Sequence, residues 1–158
     1  MTDYNSLANA IKTTLENDSW LGNSANVKTI EIHRRGFSIQ DPKDAQFFSA
    51  SDLPAIAVIP NSSPKQQRLA TTNEIRETVS SEIAAVTRNR NLQAGMTAHQ
   101  TIIQNLERVL EKQKSSTDDF GIDAFVQQVS TTEEQIKKGE FYYFLSTTTA
   151  RIELNATF

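Results

Sequence analysis

Apolar and polar positions follow two different rhythms along this chain, and the changes of rhythm mark its elements. In the first segment Leu7, Ala10, Ile11 and Leu15 fall at helical spacing, while Lys12, Thr13 and Glu16 lie off that stripe. This is the signature of an amphipathic helix with one buried face. Thr2, Asp3 or Ser6 can cap its start, because a short polar side chain accepts the free amide hydrogens of a first turn. The turn-forming run from Asn17 to Ser24 ends the helix. Within that run, Trp20 and Leu21 are expected to fold back onto the helix's apolar face. Val27 to Arg34 is rich in β-formers, with Ile30 and Ile32 pointing to one side of a predicted strand. Gly36 to Asp52 reads as an irregular insert that carries Pro42 and the adjacent pair Phe47 and Phe48. Leu53 to Pro60 is almost wholly apolar and bounded by prolines, which predicts a strand buried on both faces. Asn61 to Asn73 reads as a long polar loop.

Residues 74–88 fit two templates. Ile75, Val79, Ile83 and Val86 suit a helix, while Val79, Ser81, Ile83 and Ala85 suit one face of a strand. The β-branched content (Thr78, Val79, Ile83, Val86, Thr87) favours the strand. Thr97 and Gln100 have capping-box spacing, and behind them Ile102, Ile103, Leu106, Val109 and Leu110 form the cleanest apolar stripe in the chain. A helix is therefore predicted from Thr97 to about Lys114. Two strands follow, near Ala124 to Thr132 and Phe141 to Phe158, joined by a charged turn over residues 133–140. The order is α-β-β-β-α-β-β. Strands in runs with only two main helices predict an α+β domain, a mostly antiparallel or mixed β-sheet packed by those helices.

Composition narrows the chemistry. The 158 residues are one domain's worth of chain, and residues 1–158 are read as a single domain with a variable insert at about 36–52. There is no cysteine, so disulfides, thiolate metal sites and cysteine nucleophiles are excluded. Sixteen basic against nineteen acidic residues give a net charge of −3, a poor balance for gripping nucleic acid through its phosphates. The N-terminus lacks the basic and apolar regions of a secretory signal, and nowhere do eighteen apolar residues run together, so no membrane partner is expected.

Candidate catalytic groups are sparse. His33 and His99 sit in different elements without metal-ligand spacing, and His99 is expected near the start of the second helix, exposed to solvent. The five glycines form no phosphate-binding loop. The carboxylate pairs Asp118 with Asp119 and Glu133 with Glu134 fall in predicted linkers or turns, where acids are well hydrated. A pocket joining Glu133 or the aspartates to His99 would point instead to a small enzyme. Basic residues cluster as His33 with Arg34 and Arg35, Lys65 with Arg68, and Arg88 with Arg90, without interleaved aromatics. No catalytic residue, metal or cofactor is expected. Two features ask for a partner: the apolar pair Phe47 and Phe48 in a polar insert, and the long loop from Asn61 to Asn73, since such loops are commonly functional.

Taken together, these segments resemble the tail terminator, or tail completion, proteins of long-tailed bacteriophages and prophages. The resemblance runs over nearly the whole chain. It comprises the opening helix (LANAIKTTLEND), the strand VKTIEIHRR, the Pro-flanked apolar strand with its polar loop (LPAIAVIPNSSP), the strand SSEIAAVTRN, the long helix AHQTIIQNLERVLEKQ and the closing strand ARIELNATF. It also supports the strand reading of residues 78–88. The length of the insert at 36–52 departs from the pattern. The resemblance implies a structural virion protein of the tail or neck, assembled in a bacterial host's cytoplasm, that forms a six-membered ring on the tail tube. Such a ring ends polymerisation and presents a surface for the head. Its implied partners are other copies of itself, the tail tube protein and a head completion or connector protein, with DNA passing through the ring without specific binding. No catalytic or cofactor-binding residue carries over. For the subunit or partner interface the candidates are Phe47 and Phe48 as apolar anchors, with Arg34, Arg35, Arg88 and Arg90 to meet a neighbour's carboxylates. The rival readings are another head–tail connector or tube component, and a small enzyme.

Overall fold

The computed structural model describes residues 4–33, 50–59, 66–69, 74–114, 119–122 and 124–157. The fold is α+β. Helix α1 (Tyr4–Asn17) is followed by strand β1 (Thr29–Ile32), a single 3-10 turn (Ala50–Asp52), and strands β2 (Ala55–Ile59), β3 (Gln66–Leu69) and β4 (Glu74–Asn89). Helix α2 (Leu92–Lys112) then leads to β5 (Ala124–Lys138) and β6 (Phe141–Thr157). The strands form one mixed sheet in the order β1-β2-β4-β6-β5, with β3 paired to β4 alongside β2. Among the described residues only β1 and β2 run parallel; every other pairing is antiparallel.

The ambiguous segment is a strand, and its apolar alternation is what fixes its orientation. Val79, Ser81, Ile83 and Ala85 of β4 are all at most 1% exposed and face the helices. Ile56 and Val58 of β2 and Ala150, Ile152 and Leu154 of β6 share that face. Against it α1 buries Leu7, Ile11 and Leu15, and α2 buries Ile102, Leu106, Val109 and Leu110. The opposite face carries a second apolar cluster: Leu53, Ala55, Ala57, Ile59, Ala84, Val86 and Leu145, with Ile136 and Tyr143 packed beside it. Strand β2 is accordingly buried on both faces, as its unbroken apolar run predicts.

After α1 the chain turns at Asp18, whose carboxylate accepts hydrogen bonds from the backbone of Trp20 (3.1 Å) and Leu21 (3.0 Å) and from Arg108 Nη2 of α2 (2.8 Å). Burial raises the Asp18 pKa, but the Arg108 and backbone hydrogen bonds outweigh it and hold the carboxyl below its ordinary range. Leu21 is buried and Trp20 packs against the main core, as expected.

Three boundaries differ from the sequence expectation. Helix α2 begins at Leu92, and its N-cap is Asn91, whose side chain accepts from the Ala94 amide at 2.9 Å. Thr97 is therefore inside the helix, where its hydroxyl donates to the Gln93 carbonyl at 3.1 Å. Gly95 lowers helix propensity in that first turn, but it is there for contact: a Cβ at this position would collide with the ring of Phe144 on β6. The second difference is the segment 133–138, which is strand. Its charged side chains line an exposed stretch of β5, and the turn shrinks to Gly139 and Glu140, with Gly139 at φ +61° as two-residue hairpins favour. Third, the predicted polar loop of 61–73 contains the short strand β3. The apolar insert pair, Phe47 and Phe48, lies outside the described residues, as do Arg34 and Arg35.

Leu106 is fully buried between α2 and the sheet. Leu106→Ala is expected to cost about 2–5 kcal/mol of unfolding free energy, measured by denaturant titration. A loss below about 0.5 kcal/mol, the size of a surface substitution, would contradict the packing described here.

Candidate functional site

The three longest strands run side by side to one end of the sheet, and there the register gathers charged and aromatic residues that are far apart in sequence. Arg88 lies opposite Tyr143, Asn89 opposite Tyr142, and Lys138 opposite Phe141. Strand alternation puts Arg88, Phe141 and Tyr143 on the face away from the helices. The guanidinium carbon of Arg88 sits 4.2 Å from the centre of the Phe141 ring and that of Arg90 sits 5.1 Å from it. On the other face Lys137 Nζ is 5.3 Å from the Tyr142 ring. Arg90 also approaches Glu140 at 3.8 Å, but both side chains are largely exposed, so this pair adds little.

Of the six interface candidates, the structure thus brings Arg88 and Arg90 together, on a common aromatic partner, Phe141. Sequence reasoning missed that partner and judged the arginines to be without aromatics, because the pairing of β4 with β6 was not legible. The available signal was the run Phe141, Tyr142, Tyr143 and Phe144, whose length exceeds what one buried strand face needs. A guanidinium lying over a ring keeps its N–H edge outward for an oxyanion such as a carboxylate.

The second polar feature is His99. It lies mid-helix and is 2% exposed, contrary to the expectation of an exposed residue near the helix start; the correction follows from the earlier N-cap at Asn91. Its Nδ1 is 2.9 Å from the Thr87 hydroxyl of β4, and its ring stacks on Phe144 at 5.9 Å between centroids. Burial pushes its pKa down to about 4. The ring also borders a cavity of about 190 Å3, together with Met96, Gln100, Glu133, Glu134, Gln135 and Phe144. The pocket that would point to an enzyme, joining Glu133 to His99, is therefore present, and its chemistry needs weighing. Thr87 and His99 have the spacing of a nucleophile and base. Yet both are buried, the imidazole is too weakly basic to take a proton near neutral pH, and no described group orients its Nε2, which lacks a hydrogen-bond partner. Asp119 is a turn residue, accepting the Gly121 amide at 3.0 Å. Among the described residues no three His, Asp or Glu side chains are grouped to hold a metal.

No protein-family model matches this chain, and no curated protein does. Among solved structures, the chain is similar to one from the virion of a native gene transfer agent particle. The fold is shared across full length. The TM-score is 0.50 and the alignment covers 97% of this chain and 99% of that one. At 10% identity the likeness concerns the fold and carries no residue roles.

His99 makes stability depend on pH. Its folded pKa lies below the ordinary histidine value of 6.5, so the unfolded chain binds the extra proton between pH 6.5 and about 4. Stability is fully present above pH 6.5 and is expected to fall by roughly 2–3 kcal/mol towards pH 4. Denaturant midpoints measured across that range should show the slope in the wild type and lose most of it in His99→Phe.

Proposed function

We propose that this chain is a structural component of a phage or phage-like virion, and that within it the chain caps the tail tube as a six-membered ring. The observation that carries the first statement is the end-to-end correspondence with a chain of the gene transfer agent virion. The finer statement is supported by the resemblance of the sequence segments to tail terminators, in the order in which they occur along the fold. A ring requires a heterologous interface, one surface of each copy meeting a different surface of the next. The Arg88, Arg90 and Phe141 cluster is the best candidate for one such surface, since interface centres are rich in arginine and aromatic residues. Phe47 and Phe48 remain candidates for apolar anchors. The ring would join the tube below to a head connector above, and would act through contact rather than catalysis.

The test is assembly. Six copies of 17.7 kDa give a particle of about 106 kDa by light scattering, either alone or on addition of the cognate tail tubes, with a ring at one tube end under negative stain. Arg88→Ala combined with Arg90→Ala is expected to weaken assembly at least about thirtyfold, the effect of losing one hot-spot group, with an unchanged circular dichroism spectrum. Long tubes formed by the protein alone would show it to be a tube subunit instead. A protein that stays monomeric and unbound with its tubes present would exclude the ring.

A further inference from the structure

The cavity beside His99 has a one-sided chemistry that the assembly reading does not use. Strand β5 pairs Glu133 with Ser146 and Gln135 with Phe144, so both side chains stand on the helix face, towards α2. There they line the cavity with Met96, His99 and Gln100 of α2 and with Phe144 of β6. The lining offers two carboxylates (Glu133 and Glu134), two side-chain amides and two apolar surfaces, and includes no lysine or arginine. His99 borders it as well: its Nδ1 is 2.9 Å from the Thr87 hydroxyl, and its Nε2 is buried and has no hydrogen-bond partner. Because burial holds the ring's pKa near 4, it stays neutral next to a positive charge at ordinary pH.

A volume of about 190 Å3 is on the scale of one long side chain. It is below the ~300–1,000 Å3 usual for metabolite sites. We infer that this cavity is a socket for an arginine side chain presented by a partner chain. The guanidinium only donates, so its fork can satisfy the Glu133 carboxylate and an amide oxygen together, beside the His99 ring. Its plane can lie against Phe144, and its aliphatic stem against Met96. A lysine would answer the carboxylate but offers no plane to stack. The socket opens between α2 and the β5–β6 hairpin, on the helix face, whereas Arg88 and Phe141 lie on the other face. It is therefore a second contact surface, and it does not depend on the ring reading.

The test uses the full chain and reads His99 directly. Long-range proton–nitrogen NMR reports both ring nitrogens and the tautomer. Titration with n-propylguanidinium at constant ionic strength is expected to shift Nε2 saturably, with a Kd of roughly 1–50 mM for so small a probe. N-propylurea has nearly the same shape without the charge, and is expected to give no saturable shift. Glu133→Gln, at an exposed position, is expected to weaken the guanidinium about fivefold, the upper reach of an exposed ion pair. Met96→Trp fills the cavity and is expected to abolish the shift, with circular dichroism confirming the fold. The inference is overturned if propylurea shifts Nε2 as strongly as propylguanidinium, or if Glu133→Gln leaves the affinity unchanged. It is equally overturned if the wild type shows no saturable shift up to ~200 mM probe, well beyond the affinity such a ligand should reach.

Discussion

Strand β6 is the member on which the rest of the structure depends. It is paired along its length with β4 on one side and β5 on the other, so its register sets the relative height of nearly every residue in the sheet. A shift of one residue would turn Ala150, Ile152 and Leu154 away from the helices and put Thr149, Arg151 and Glu153 in their place. The buried alternation of β4 and β6 therefore fixes their register, and β5 follows β6 with one shift between Val126 and Gln128. That register lays the core against α2 and also lines up Arg88, Phe141 and Lys138 at one end.

The second constraint is the close approach of α2 to β6. Gly95 lets the helix backbone sit against Phe144, where any side chain would collide. This closeness carries His99 into the interior, one helical turn further on. A buried imidazole is costly unless it is hydrogen-bonded, and the Thr87 hydroxyl meets that need on one nitrogen only. The result is a rigid polar contact inside a helix–sheet interface, bordered by a small cavity on the β5 side. The imidazole's low basicity makes it unsuited to proton transfer near neutral pH.

These two constraints leave surfaces of different character on the two faces. The face away from the helices ends in arginines laid over an aromatic ring, with their donor edges turned outward. On the helix face the cavity is lined by carboxylates, side-chain amides and apolar side chains.

The sequence by itself determined the elements and the faces they bury. Helical spacing in α1 and α2, the unbroken apolar run of β2, and the alternation of Val79, Ser81, Ile83 and Ala85 are local patterns, and each reports burial directly because it repeats with the period of the backbone. The α+β class follows from their order. Boundaries were less legible where local propensity and tertiary contact disagree. The charged stretch 133–138 has the composition of a turn but is held in β5 by the ladder to β6, and Gly95 has poor helix propensity but is required by Phe144. The meeting of Arg88 with Phe141, and of His99 with Thr87 and Glu133, was decided by the tertiary structure alone. Those residues are brought together by strand register and by the docking of a helix across three strands, and no local period in the chain encodes which distant residues will share an end of the sheet.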